Sequence, residues 1–200
     1  MSNTRDPHRI VAGSEFGWQA EKLSFDTVPD LFWQRVAELG DQPMMRQKDL
    51  GIWRAYSWKE VGVLASEIGA GLVALGFAPG EVASVLANTS REWVWTDMAV
   101  LSVGGICNGI YPTDAASQVH YLCSDSRTRY LFVENDEQLD KYLEVREALP
   151  ELRQVIVYNM EGLAGLDDPR IISLERLREI GREHLRAHPD LIATRRRSRG

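Results

Sequence analysis

Two hundred residues fit a single domain, and 44% hydrophobic with 26% charged residues is ordinary globular usage, which excludes a wholly disordered or collagen-like chain. Asp and Glu total 29 against 23 Lys and Arg, and the net charge of −6 argues against a nucleic-acid partner.

Residues 1–26 show no sustained period and read as an extended arm that needs a surface to lie on. Thr27 is placed to cap a first helix, with Pro29 and Asp30 in its opening turn and Gly40 ending it. Two short extended runs follow, Met44 to Gln47 and Ile52 to Tyr56, joined by Lys48-Asp49-Leu50-Gly51 in hairpin fashion. Ser57-Trp58-Lys59-Glu60 fits a capping box, in which hydroxyl and carboxylate each satisfy a backbone N–H. The helix behind it puts Val61, Leu64, Ala65, Ile68, Leu72 and Leu75 on one face, and Gly76 with Pro79-Gly80 stops it.

Val82 to Ala87 is a continuous apolar run, as expected of a strand covered on both faces. Thr89 to Glu92 suggests another capping box opening a helix to about Val103, then Gly104-Gly105 and a strand from Ile106 to Tyr111. Asp114 is expected to cap a helix to about Ser124, Tyr130 to Val133 a third strand, and Asp136 a helix reaching Leu149. A strand at Gln154–Tyr158 and a short one at Ile171-Ile172 lead to a last helix, Leu174 to Ala187, with Leu177, Ile180 and Leu185 inside. Strands alternating with capped helices predict an α/β fold, a mostly parallel sheet with helices on both faces.

Residues that could carry chemistry mostly have a structural explanation. Neither phosphate-loop fingerprint sits at a strand-to-helix turn, and Gly69 and Gly71 fall inside a helix, where close packing explains them. His184 and His188 have a metal-ligand spacing but lack a third ligand on that face, and His120 reads as a core histidine. Asp97, Asp114, Asp125 and Asp136 are read as caps near helix ends, and no nucleophile elbow occurs. Trp93 and Trp95 point to different faces of one helix, one to the core and one to a boundary or to further covering chain. Cys107 and Cys123 read as reduced thiols, the start lacks a secretory signal, and the longest uncharged run, Met98 to Thr113, is 16 residues and broken by glycines. A soluble, cytoplasmic chain is expected. Residues 194–200, with Arg195, Arg196, Arg197 and Arg199, read as a basic, unstructured and solvated terminus, with a grip on anionic lipid or phosphate as the lesser alternative.

The order of segments carries a resemblance. Tyr56 to Glu60, Gly76 to Ala83 and Leu86 to Trp93 resemble the N-terminal part of AMP-forming adenylating enzymes. Gly104 to Asp114, with its Ile110-Tyr111-Pro112-Thr113, is similar to long-chain acyl-CoA synthetases, as are Gln118 to Leu122, Asp125-Ser126 and Leu131 to Lys141. The resemblance runs over about residues 25–193 and implies that 27–193 form the N-terminal part of an AMP-binding domain. It implies a ligase that joins a fatty acid to ATP as acyl-AMP and then to CoA, with ATP, Mg and CoA as co-substrates and cofactor of the whole enzyme. The family's phosphate loop, ribose aspartate and catalytic lysine have no match here, so the resemblance assigns no catalytic, cofactor-binding or metal residue, and the chain is expected to be inactive alone. The basic ending in place of that loop reads as a frameshift, an early stop or a partial gene. Alternatives are a non-catalytic interaction module of this fold, or a piece of an aryl-CoA or fatty acyl-AMP ligase. Partners implied are fatty acid, ATP and CoA, a second copy or a C-terminal part covering apolar faces, peripheral membrane contact, and no nucleic acid.

Overall fold

The computed structural model describes residues 25–197. Most of the 1–26 arm and the last three residues of the expected tail lie outside the described residues. Helix α1 (Val28–Leu39) starts where Thr27 Oγ1 accepts the Asp30 N–H at 3.3 Å. Strands β1 (Pro43–Asp49) and β2 (Ile52–Ser57) form an antiparallel ribbon closed by Leu50 and Gly51, both with positive φ (46° and 84°). That is the geometry of a two-residue type I′ turn, which suits Asn or Gly and disfavours leucine. The expected capping box opens α2 (Trp58–Ala74): Ser57 Oγ accepts the Glu60 N–H, and the Ser57 N–H donates to Glu60 Oε2 at 2.7 Å. These bonds to the ionised form hold the Glu60 carboxyl below its usual range.

The main sheet follows: β3 (Val82–Leu86), α3 (Arg91–Ser102), β4 (Ile106–Ile110), α4 (Ala116–Asp125), β5 (Thr128–Val133), α5 (Asp136–Val145), β6 (Gln154–Val157) and β7 (Ile171–Ser173). Two more helices, α6 (Leu174–Ala187) and α7 (Leu191–Arg197), complete the described chain. All strand pairs of this sheet are parallel, in the order β4-β3-β5-β6-β7. Alternation along each strand divides the core into two layers. Ala83, Val85, Tyr130, Phe132 and Ile156 pack with residues of α1, α2, α3, α6 and α7, whereas Leu86, Leu131, Val133, Val155 and Val157 pack with α4 and α5. The sheet is therefore covered on both faces, as the apolar strands require.

Gly69 and Gly71 serve packing. A Cβ on Gly69 would lie 2.8 Å from Val103 Cγ1, and one on Gly71 would lie 2.3 Å from the Leu177 carbonyl oxygen. Several expectations need correction. Ser90, not Thr89, caps α3, its Oγ accepting the Trp93 N–H, and Asn135, not Asp136, caps α5 by accepting the Gln138 N–H. Asp114 caps nothing: α4 starts after Ala115, whose N–H donates to Gln118 Oε1 at 2.9 Å. Asp97 sits in the middle of α3 and Asp125 ends α4, so neither is an N-cap. The helix expected to reach Leu149 stops at Val145 and tightens into a single 3₁₀ turn, Arg146–Ala148. His120 is half-buried rather than a core residue. Residues 194–197 are helical, not unstructured. Ile192 is buried in the core and Arg196 reaches Asp30 Oδ1 at 3.0 Å, which fixes this end against α1.

Candidate functional site

In an open parallel sheet, ligands bind beyond the carboxyl ends of the strands, where neighbouring strands send their connections to opposite faces. Here β3 leads into α3 on one face, and its neighbours β4 and β5 lead into α4 and α5 on the other. A crevice of about 460 Å³ opens at this place, lined by Ala87, Asn88 and Thr89 after β3, Trp93 of α3, and Gly109 to Thr113 at the end of β4.

The crevice walls are aromatic and neutral. Tyr111 is 77% exposed at its rim, and Trp93 is half-buried. Gly109 keeps the space over Trp93 open, since its missing Cβ would stand 3.6 Å from Trp93 Cζ2. Asn88 is held in place by Glu134 after β5, whose Oε2 accepts both the Asn88 N–H (2.7 Å) and Nδ2–H (2.8 Å). Thr89 and Thr113 add hydroxyls. Lys141 is committed to the carbonyl of Pro112, and Arg91 donates to Tyr56 Oη and stacks over Tyr56 and Trp95. Among the described residues, the lining contains no cation and no carboxylate.

This set suits an uncharged, partly apolar portion of a ligand. It does not fit a magnesium-bound triphosphate, which needs cationic and backbone N–H groups aimed at the phosphates. Among the described residues, no group of three His, Cys, Asp or Glu is placed to hold a metal ion. Two larger openings, one along α1, α2 and α6 and one beside the start of α2, lie away from the strand ends.

The remaining candidates are structural. Both cysteines are free thiols. Burial, then the adjacent Asp97, pushes Cys107 well up, and burial pushes Cys123 up to about 11, so neither is a thiolate nucleophile at neutral pH. His184 and His188 stack at 4.4 Å at the end of α6, and burial and the second ring lower the His184 value.

Burial raises the Asp97 carboxyl, so the folded state binds its proton more tightly than the unfolded state does. This group thus favours folding in acid, and that contribution is lost as pH rises through the raised value. Asp97→Asn is expected to raise the melting temperature at neutral pH, with the gain over wild type vanishing in acid; thermal melts across pH check it.

Trp93 and Trp95 divide as their spacing requires: Trp95 enters the core against Tyr56, and Trp93 lines the crevice. Reading the sequence for motifs missed Asn88, Thr89, Tyr111 and Thr113 as one site. The signal available was positional, because both segments directly follow apolar runs read as parallel strands.

Comparison with known proteins follows the same direction. The family model described as AMP-binding enzyme matches residues 32–190. Long-chain-fatty-acid–CoA ligase ACSBG1 of Bos taurus is 29% identical over 157 residues, which is 78% of this chain and 21% of that protein. Long-chain-fatty-acid–CoA ligase ACSBG2 of Xenopus laevis is 30% identical over 135 residues, 68% of this chain and 18% of that protein. The chain thus spans about a fifth of the length of these curated relatives. Among solved structures, the anthranilate CoA ligase AuaEII in complex with anthranoyl-AMP aligns with a TM-score of 0.69 at 22% identity, over 81% of this chain and 30% of that one. Acetoacetyl-CoA synthetase from Streptomyces lividans aligns with a TM-score of 0.66 at 22% identity, over 74% of this chain and 24% of that one. At those identities the structures establish the fold: an α/β unit with a five-stranded parallel sheet, shared with adenylate-forming ligases.

Proposed function

The chain belongs to the AMP-binding enzyme family, and from that membership we propose that these residues are part of a ligase that activates a long-chain fatty acid with ATP and transfers the acyl group to CoA. The reading rests on the family match over residues 32–190, with curated relatives named as long-chain-fatty-acid–CoA ligases. In the proposed reaction the carboxylate displaces pyrophosphate from ATP to give acyl-AMP, and the CoA thiol then displaces AMP.

The part these residues play is binding and orientation. Trp93 and Tyr111 offer apolar faces, Gly109 leaves room beside them, and Asn88, locked by Glu134, fixes the loop after β3. No step of phosphoryl transfer is assigned to them, because the described residues of the crevice hold none of the charges that step requires. The reading places the chain in a reducing, cytoplasmic setting, in which two unpaired cysteines persist as thiols. No helix among the described residues is long and apolar enough to cross a membrane.

Thioester formation from palmitate, ATP and CoA, followed by loss of free thiol, tests the reading on a ligase of the relatives' full length in which these residues form the N-terminal part, not on the 200-residue chain alone. Acyl-CoA from palmitate is the expected result, and a clear preference for an aryl acid such as anthranilate overturns the long-chain assignment. In the same assay Gly109→Leu, which fills the crevice from an exposed position on β4, is expected to raise KM for palmitate about tenfold with kcat little changed. An unchanged KM removes the crevice from the acyl path.

A further inference from the structure

The crevice has two walls, residues 87–89 after β3 and residues 109–113 at the end of β4, and both are tied to the same third element. On the first wall Asn88 gives its backbone N–H and its side-chain Nδ2–H to Glu134 Oε2, at 2.7 and 2.8 Å. On the second wall the Pro112 carbonyl accepts the Lys141 ammonium. Glu134 directly follows β5 and Lys141 stands in α5, so one β5–α5 unit holds both walls from behind. Neither of these two side chains lines the crevice.

That unit is itself well fixed. The Glu134 N–H donates to the Leu86 carbonyl at 3.2 Å, and the Glu134 carbonyl accepts the Asn159 N–H at 2.9 Å, which carries the β3-β5-β6 pairing one residue further and pins the Glu134 backbone. Asn135 caps α5, and Leu139 and Tyr142 bury the helix in the core, so Lys141 extends from a rigid base. The walls are less secure on their own. Asn88, Thr89, Tyr111 and Thr113 are all exposed. The Asp114 N–H closes the second wall's turn on the Tyr111 carbonyl at 3.0 Å, but among the described residues Lys141 is the only side chain from another element that bonds to residues 111–113. Each tether joins an ionised group to a neutral partner, and such bonds are stronger than those between neutral groups. Both charges lie outside the lining, so the clamp leaves the crevice neutral.

We propose that Glu134 and Lys141 are a pair of positioning residues that set the width of the crevice and, with it, selectivity for the length of the acyl chain. The inference rests on the proposed ligase activity with the crevice as its acyl path, and adds two residues that never touch the ligand. A wall that loses its tether gains conformational freedom, and a ligand must order it again on binding, which weakens the complex. A wall of fixed shape discriminates between chains that fill the space and chains that do not, whereas a yielding wall accepts both. Neither group reaches the reacting atoms, so the loss falls on KM and selectivity rather than on kcat.

Two measurements test this. In the 200-residue chain, amide hydrogen exchange followed by NMR reads the tethers directly. Glu134→Ala is expected to speed exchange at Asn88 about tenfold and leave Asp114 as in wild type, and Lys141→Met to do the reverse, with the amides of β5 unchanged in both. In a ligase of the relatives' full length, each variant is expected to raise KM for palmitate about fivefold with kcat little changed. The preference for palmitate over octanoate, as a ratio of kcat/KM values, is expected to fall about fivefold. Glu134→Gln and Lys141→Arg, which keep an acceptor and a donor, are expected to retain most of both. Wild-type exchange at Asn88 and Asp114 in the alanine and methionine variants overturns the clamp, as does a loss confined to kcat or an unchanged KM and preference. A wild-type ligase that prefers an aryl acid contradicts the long-chain reading, and the chain-length selectivity with it, while the exchange rates still decide whether the clamp exists.

Discussion

Replacing Tyr130 by alanine is expected to destabilise the fold by about 4 kcal/mol, the cost of deleting a large aromatic side chain from a closed core. Tyr130 is fully buried at the centre of β5, between β3 and β6. Its ring meets Phe77 edge-on at 5.3 Å, and its hydroxyl donates to the Leu75 carbonyl at 2.6 Å, just beyond the end of α2. Two effects therefore add: a cavity under α2 and a helix-end carbonyl left without its donor. Tyr130→Phe separates them. It keeps the ring, removes only the hydrogen bond, and is expected to cost about 1 kcal/mol. Denaturant titration of both variants measures the difference. Equal losses would mean that the hydroxyl, not the ring, carries the stabilisation.

Gly181→Ala is the second large effect, expected at about 3 kcal/mol and a fall in melting temperature of about 10 °C. A Cβ at Gly181 would stand 1.8 Å from the Glu67 carbonyl oxygen and 2.8 Å from the Gly71 backbone nitrogen. These are backbone atoms inside α2 and cannot rotate aside, so α6 itself must move away. That movement also draws Arg178 and Arg182 from the Glu67 carboxylate, which they reach at 2.8 and 3.3 Å. Glu67 is buried, so weakening these pairs adds a desolvated charge to the steric cost. Gly165→Ala is the control: nothing lies within 4 Å of the added methyl, and the melting temperature is expected to stay unchanged.

What could be read from the sequence is local, and what could not depends on which strands become neighbours. Val82 to Ala87 announces a strand covered on both faces because no polar side chain but Ser84 interrupts it, and Ser84 is accommodated by a 2.6 Å hydrogen bond to Thr128. Ser57 and Glu60 announce α2 because both halves of the capping box lie within three residues. Gly69 and Gly71 are legible as packing residues because a helix surrounds them. The caps of α3 and α5 were displaced by one residue, since neighbouring Thr89 and Ser90, or Asn135 and Asp136, are equally able acceptors by type. Only the entering backbone decides between them.

The crevice was not legible because Asn88 meets Glu134 across 46 residues, a pairing that exists only once β3 and β5 lie side by side. The same holds for α7, whose arginines read as a tail until Asp30 and Trp33 are seen to receive Arg196. Family membership adds what geometry alone does not: residues that look like an unspecialised α/β unit belong to the AMP-binding enzyme family.

The most direct test is palmitate-dependent ATP–pyrophosphate exchange by the purified 200-residue chain, once a cooperative melt shows that it is folded. A crevice lined by Asn88, Thr89, Trp93, Gly109, Tyr111 and Thr113, with Lys141 and Arg91 committed elsewhere, offers among the described residues no cation to stabilise a transferring phosphoryl group. Exchange at background level is the result the account requires. Exchange well above background, lost on Gly109→Leu, would contradict it by placing phosphoryl chemistry within these residues.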